Sequence, residues 1–212
     1  WDQVKMWIDR RLNELWNMRG PSPGLGAALH AFGVQHGNLL AYEIERLVED
    51  AKTDDPWAIA EKLIRESTKF SKDISRLVTR TIGRKWKALP PDRLNLLKLL
   101  SRFELTNEQA ACYYVNEDKR REDFHIDVTD ARLIENPYLL YEADRLTLDS
   151  VSLAVIDRGM FPSETLRKKF PLPEPSRVQD PLDERRVRAF TIRQLETAAG
   201  KGHTLLPRKN VI

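Results

Sequence analysis

Apolar residues return every three or four positions along most of this chain, in stretches cut short by proline and glycine. Such spacing belongs to amphipathic helices, while strict alternation, the mark of half-buried strands, is scarce. Val4, Ile8, Leu12 and Leu15, extended by Trp7 and Trp16, predict a first helix that stops near Gly20, ahead of Pro21 and Pro23. Ser22 to Gly26 reads as a tight turn, and Ala27-Ala28-Leu29 opens a helix that ends near Gly33. Another helix fits Leu39 to Leu47. Asp54-Asp55-Pro56 is a cap followed by proline in the first turn. From Pro56 to about Trp86 the pattern predicts one long helix or two that abut, with Ile59, Leu63, Phe70, Ile74, Leu77, Ile82 and Trp86 as a discontinuous apolar face.

Leu89-Pro90-Pro91 breaks that element, and Asp92 caps the next one, whose buried side carries Leu94, Leu97 and Leu100. Phe103-Glu104-Leu105 is a connector. Thr106 and Gln109 then have the spacing of a capping box for a helix running towards Tyr114. Asn116 to Asp123 reads as a polar linker and Phe124 to Val128 as a brief extended segment. A short helix starts at Thr129 or Asp130 and ends at Asn136-Pro137. Further helices are expected over Tyr138 to Arg145 and Val151 to Ile156, around a turn at Thr147 to Ser150. The proline-bearing stretch Pro162 to Pro181 is expected to be an exposed loop. A last helix follows Asp183, with Val187, Phe190, Ile192, Leu195 and Ala198, and Gly200 and Gly202 end it. The expected fold is all-α: an irregular helical array with helix-hairpin-helix-like units and little or no sheet. The expected division is a region 1–88 and a second region 89–212.

Composition narrows the class of protein. With 41% hydrophobic residues in 212, the chain can bury a substantial core and is too apolar to be disordered. No apolar run is long enough to span a bilayer and no secretory signal pattern opens the chain, so a cytoplasmic setting is the default. A single cysteine, Cys112, excludes an internal disulfide framework, and the four histidines are too scattered for a zinc or iron–sulfur spacing. The chain opens on Trp1 and closes on Val211-Ile212, and both ends read as boundaries within a longer protein.

Net charge is only +3, but it is unevenly spread. The segment up to about Trp57 is mildly acidic, whereas Lys62, Arg65, Lys69, Lys72, Arg76, Arg80, Arg84 and Lys87 form a basic stripe interrupted only by Glu66 and Asp73. Cations three or four apart can neutralise a phosphate backbone without reading bases; the same pattern also suits a plain solvated helix face. A second candidate is Pro23-Gly24-Leu25-Gly26, beside Arg19. Glycines there would let backbone amides approach a phosphate at a helix start, or would merely turn one helix onto the next. Arg167-Lys168-Lys169 adds a third basic group. Two other turns, at Phe103 to Thr106 and Leu146 to Asp149, lack paired glycines, and Glu104 and Asp149 would repel phosphate, so they are expected to be structural. Cys112 reads as a buried small residue. His125 between Asp123 and Asp127 reads as a surface residue in preference to a metal ligand, and His203 as a turn residue. Nothing resembles a nucleotide-binding Gly-Lys-Ser or Gly-Lys-Thr loop, so neither a catalytic centre nor a cofactor is expected in this chain.

Four segments carry a family resemblance: Asn136-Pro137-Tyr138-Leu139-Leu140-Tyr141, Ser152 to Asp157, Arg185-Arg186-Val187-Arg188-Ala189, and Ala198-Ala199-Gly200-Lys201-Gly202-His203-Thr204-Leu205-Leu206-Pro207. Their order and spacing, across roughly Leu94 to Pro207, resemble the region preceding the motor core of RecD-like superfamily 1 DNA helicases. That family places a Gly-hydrophobic-Gly turn where this chain has Leu146-Thr147-Leu148, and the segment from Pro162 to Pro181 is longer here. The resemblance implies a DNA-binding or DNA-guiding accessory region of an ATP-dependent helicase or translocase, with roles in DNA repair or recombination. Its partners would be DNA and the motor domains downstream in the same chain, and ATP and magnesium would bind only in that downstream core. The alternative is a scaffold that docks on the motor without touching DNA.

Overall fold

The computed structural model describes residues 20–207 apart from Asp54 and Leu148, together with Val4, Trp7 and Arg11. The helix expected before Gly20 and the candidate Arg19 lie outside the described residues. Thirteen α-helices and one 3-10 turn follow among them, with no strand. In chain order they are α1 (Leu25–Phe32), α2 (Gly37–Ala51), α3 (Pro56–Arg65), α4 (Lys72–Leu77), α5 (Arg80–Lys87), α6 (Pro91–Leu100), α7 (Asn107–Tyr114), α8 (Glu117–Phe124), α9 (Asp130–Glu135), α10 (Leu139–Glu142), α11 (Leu153–Met160), α12 (Glu164–Lys169) and α13 (Glu184–Gly200). This is an irregular all-α bundle.

Its centre is α1, an eight-residue helix of small and apolar residues apart from His30, which α2, α6 and α7 enclose. Leu25, Ala28 and Leu29 are almost fully buried, and so are the glycines that let the surrounding chain come close. The Gly24 N–H donates to the carbonyl of Ser101 at 2.9 Å, and a Cβ on Gly24 would stand 1.8 Å from the Phe103 carbonyl oxygen. A Cβ on Gly26 would meet Asn38 Oδ1 at 2.1 Å; one on Gly37, at the start of α2, would meet the Gly26 carbonyl oxygen at 2.3 Å. These glycines are required by backbone-to-backbone packing.

Aromatic packing ties the next layer to this centre. Phe32 meets Trp86 edge-on at 5.2 Å, Trp86 stacks on Trp57 at 6.2 Å, and Phe32 reaches Tyr114 at 6.5 Å. Trp57 Nε1–H donates to the Ser101 hydroxyl at 2.9 Å, so the indole is satisfied although buried. The apolar core is one cluster running from Leu25 to Ala189. It crosses the boundary expected at residue 88, and the two halves share it.

Local signals explain where several helices differ from expectation. The one long helix, or two abutting helices, expected from Pro56 to Trp86 is three helices and a 3-10 turn (Ser67–Lys69), because Ser71 and Thr79 cap new helices by accepting from Ile74 and Ile82 N–H. A polar side chain that captures the N–H three residues on starts a helix more readily than it continues one. The polar linker expected at 116–123 is α8: Asn116 caps it by accepting from Lys119 N–H at 2.9 Å, and His125 ends it in the left-handed conformation, φ 56°. The extended segment expected at 124–128 is therefore the end of α8 and the turn after it. The capping box at Thr106 and Gln109 has both bonds, each 3.1 Å.

The expected loop at 162–181 contains α12 and is otherwise pinned down. Leu172, Ser176 and Val178 are buried, Ser176 Oγ–H donates to the Ile134 carbonyl at 2.6 Å, and Arg185 donates to the carbonyls of Pro175 and Arg177.

Glycine substitutions separate these roles. Gly24→Ala is expected to cost about 3 kcal/mol or more, because the new methyl falls on backbone that cannot swing away. Gly83→Ala on α5, where a Cβ would be 3.6 Å from the Ile64 carbonyl oxygen, is expected to be neutral or to stabilise by up to about 1 kcal/mol. Denaturant melts of the two variants check this ordering; equal losses would refute the backbone-packing role of Gly24.

Candidate nucleic-acid interface

The basic stripe lies on α3, the 3-10 turn, α4 and α5. The stacking of Trp57, early in α3, on Trp86, late in α5, and the approach of Gly83 to Ile64 set α3 and α5 running in opposite directions. Lys62 and Arg65 thus lie near the start of α5, and Arg84 and Lys87 near the start of α3. All eight stripe residues are exposed. Lys69 pairs with Glu66 at 3.1 Å, and Arg76 with Asp73 at 3.6 Å. Among the described residues, Lys62, Arg65, Lys72, Arg80, Arg84 and Lys87 have no carboxylate partner within salt-bridge distance. Several sit in last turns, Lys62 and Arg65 on α3 and Arg84 and Lys87 on α5, where a cation also stabilises the helix dipole. The face is cationic and open, and breaks between helices divide what the sequence presented as one line.

The three turns take a different place. Gly24 and Gly26 are buried, and the Gly24 amide is spent on Ser101, so the Pro23-Gly24-Leu25-Gly26 turn offers a phosphate no approach through those glycines. It abuts the Phe103 turn. Gly159 presses on that turn from another side: a Cβ there would lie 2.6 Å from the Arg102 carbonyl oxygen. Gln109 Nε2–H donates to the Asp149 carbonyl at 3.0 Å, linking the helix after the Phe103 turn to the third turn. The first two turns pack on each other, whereas Leu146, Thr147 and Asp149 of the third are exposed.

Arg167, Lys168 and Lys169 close α12, away from the stripe in sequence. Arg167 lies over the Phe161 ring at 3.8 Å and donates to the Gln179 carbonyl at 3.4 Å; Lys168 pairs with Glu164 at 2.6 Å, and Lys169 lies 5.5 Å from the Phe170 ring.

Two buried ion clusters were not anticipated. In one, Asp130 binds Arg120 through Oδ1 and Arg93 through Oδ2, both at 2.6 Å. Arg120 is fully buried and also donates to the carbonyls of Tyr113, Val115 and Val128, while Arg93 lies over the Tyr114 ring at 4.1 Å. In the other, Tyr138 O–H donates to Asp157 Oδ1 at 2.8 Å, and Arg186 grips both oxygens of Asp157 at 2.6 and 2.9 Å. The Asp157 contact holds the Arg186 guanidinium above its usual range, and burial raises the Tyr138 phenol. Tyr138, Asp157 and Arg185-Arg186 come from three of the segments that carried the family resemblance, and the fold brings those three together. Arg185 is engaged as well, with Asp183 and with the carbonyls of Glu135, Pro175 and Arg177. A sequence reader could have found this cluster only by pairing residues 19 and 29 positions apart, for which helical periodicity gives no signal.

Among the described residues no three His, Cys, Asp or Glu side chains gather to hold a metal. His125 is an exposed helix cap and His203 donates its N–H to the Ala198 carbonyl. Comparison with protein families, characterised proteins and solved structures finds nothing that matches this chain.

Two outcomes follow from these environments. Asp130→Ala strands the buried Arg120 without its carboxylate and is expected to cost about 3–5 kcal/mol in denaturant unfolding; a loss under about 1 kcal/mol would show that the carbonyl oxygens alone suffice. The Cys112 thiol, pushed up to about 12 by burial and then by Asp144, should resist a disulfide reagent at pH 8 and react only as the protein unfolds. Immediate modification of the folded protein would contradict that environment.

Proposed function

We propose that this chain is a non-catalytic DNA-binding or DNA-guiding region that serves an ATP-driven helicase or translocase motor, as its resemblance to the RecD-like accessory region implies. The observation that carries the reading is the open face of α3 to α5, where six cations stand clear of carboxylate partners. Such a face follows a phosphate backbone, contributes affinity that falls with salt, and reads little sequence. The burial of Gly24 and Gly26 supports backbone contact by the cationic face over insertion of that turn, because the Gly24 amide is already bonded to Ser101. Convergence of Tyr138, Asp157 and Arg186 gives the resemblance a structural reason: those residues hold α10, α11 and α13 together. ATP and magnesium belong, on this reading, to the motor.

One observation favours a scaffold role. Helix α13 leaves Val187, Phe190 and Leu195 about two-fifths to a half exposed, and Leu182 just before it is 77% exposed. Apolar side chains of that size on a long terminal helix suit a protein partner such as the motor domains.

A salt titration of binding to single-stranded, duplex and forked DNA tests the proposal. Binding should weaken steeply with salt, with a log–log slope that becomes shallower by about one for each phosphate-contacting cation removed among Lys72, Arg80, Arg84 and Lys87. Unchanged affinity and slope after charge reversal at those four positions would reject the face. Absence of binding at low salt would leave the scaffold reading.

A further inference from the structure

Beyond the exposed face, the molecule has a second concentration of positive charge, in a cavity of about 410 Å3 between α11, α12 and the pinned segment after it. Its volume lies in the ordinary range for a small ligand, about 300–1,000 Å3. The cations on its wall are Arg102, Arg167, Lys168 and Arg177, with one carboxylate, Glu164, and Leu172 and Val178 supply apolar surface. Lys168 is matched by Glu164 at 2.6 Å and Arg177 by Glu174 at 3.3 Å. That leaves Arg102 and Arg167 with no carboxylate.

Both leftover guanidiniums are under-supplied. Arg102 makes one hydrogen bond, from Nη2 to the Phe170 carbonyl at 3.1 Å, and burial alone pulls its pKa down to about 10. Arg167 lies against the Phe161 ring and makes one hydrogen bond, to the Gln179 carbonyl at 3.4 Å, and its Nε is buried with no acceptor. The contrast with the other withdrawn arginines is informative. Arg120 and Arg186 each have an aspartate as well as carbonyl oxygens, and although Arg120 Nε is also buried without an acceptor its charge is answered, because burying a guanidinium without an anion is costly. Two arginines left short at one cavity are short of an anion carrying about two charges. A phosphate monoester carries about −1.5 to −2 near neutral pH and offers three acceptor oxygens.

We propose that this cavity binds a phosphate monoester, with Arg102 and Arg167 as its ligands, the body of the ligand lying against Leu172 and Val178. The group could reach it on a free nucleoside monophosphate or on the terminal phosphate of a strand. The inference stands apart from the proposed function, since the cavity and the α3 to α5 face use different residues.

Calorimetric titration and phosphorus NMR of the whole chain would test it, using inorganic phosphate, thymidine monophosphate, and a short single strand with either a 5′-phosphate or a 5′-hydroxyl. The phosphorylated ligands should bind, and Arg102→Met and Arg167→Gln should each weaken them by about tenfold or more. Arg102→Met should leave the melting temperature unchanged or higher, since it removes a charge that is short of partners; Arg167→Gln guards against a folding defect in the first variant. Equal binding of the free monophosphate and the phosphorylated strand would assign the site to small molecules. Preference for the phosphorylated over the hydroxyl strand, with weak binding of the monophosphate, would assign it to strand ends. Failure of every phosphate ligand at millimolar concentration would overturn the proposal, as would binding that neither substitution weakens. Reversal of Lys72, Arg80, Arg84 and Lys87 should leave monophosphate binding intact, so a failed DNA face and a failed cavity give separate results.

Discussion

Most of this fold hangs on how closely backbone meets backbone at the turn before α1. Gly24 donates its N–H to the Ser101 carbonyl, and the space where its side chain would be is occupied by the Phe103 carbonyl. Ser101 is fully buried and serves three ways: its carbonyl takes the Gly24 amide, its hydroxyl accepts from the Trp57 indole, and the same hydroxyl donates to the Lys98 carbonyl. Trp57 in turn stacks on Trp86 and so sets α5 against α3. The orientation of the cationic face is thus inherited, through two indoles and one serine, from a contact that only a glycine permits. A helix whose one bulky polar side chain, His30, lies in its last turn can be enclosed on several sides, and α1 is such a helix.

That arrangement divides labour between turns and faces. A turn that gives its amides to neighbouring carbonyls gains packing and gives up the chance to hold an anion there. The turn at Gly24 has made that exchange, and the close approach of Gly159 to Arg102 and the Gln109 side-chain bond to the Asp149 carbonyl tie the neighbouring segments together. On the function proposed here, the cations left outside are the means of meeting a polyanion. They lie on short helices, so their spacing follows the breaks at Ser71 and Thr79 and departs from the even rhythm of one long helix. A surface of that kind suits contact with a strand whose phosphates move past it, because few of its contacts depend on register.

How much was legible beforehand depended on whether a signal was local. The all-α class, the starts of α3, α7 and α9, and the burial of Cys112 follow from spacing and caps within a few residues, and the structure has them. Asn116, Ser71 and Thr79 carried equally local cap signals, but the surrounding charges of 116–123 suggested a linker and the apolar rhythm of 56–86 suggested continuity; in each case the captured N–H decided. Gly24 and Gly26 stand out in the sequence as a place where backbone can come close, either to a phosphate or to the next helix. What approaches them is Phe103 and Asn38, residues the sequence places far away or in another helix. The ion clusters around Asp130 and Asp157 are wholly non-local, and no periodicity announces that Arg120 will meet Asp130 or that Arg186 will meet Asp157.

Arginine is the residue through which these distant pieces communicate. Arg120, Arg93 and Arg185 use their forked donors to collect loop carbonyls as well as carboxylates, so each cross-links several turns that have no sheet to organise them. A planar group with five donors can do this where lysine could not, and partial withdrawal from water makes every unmet donor count. Where Arg120, Arg93 and Arg185 each have a carboxylate as well as carbonyls, an arginine with a single carbonyl partner breaks the pattern. Arg102 has no carboxylate at hand, and Arg167, its neighbour across the same cavity, keeps a buried nitrogen unbonded. Packing alone gives no reason to hold two positive charges there, since apolar side chains of like volume would fill the wall at lower cost. The shortage itself specifies the missing group: an oxygen-rich anion, small enough for the cavity and charged enough to answer both.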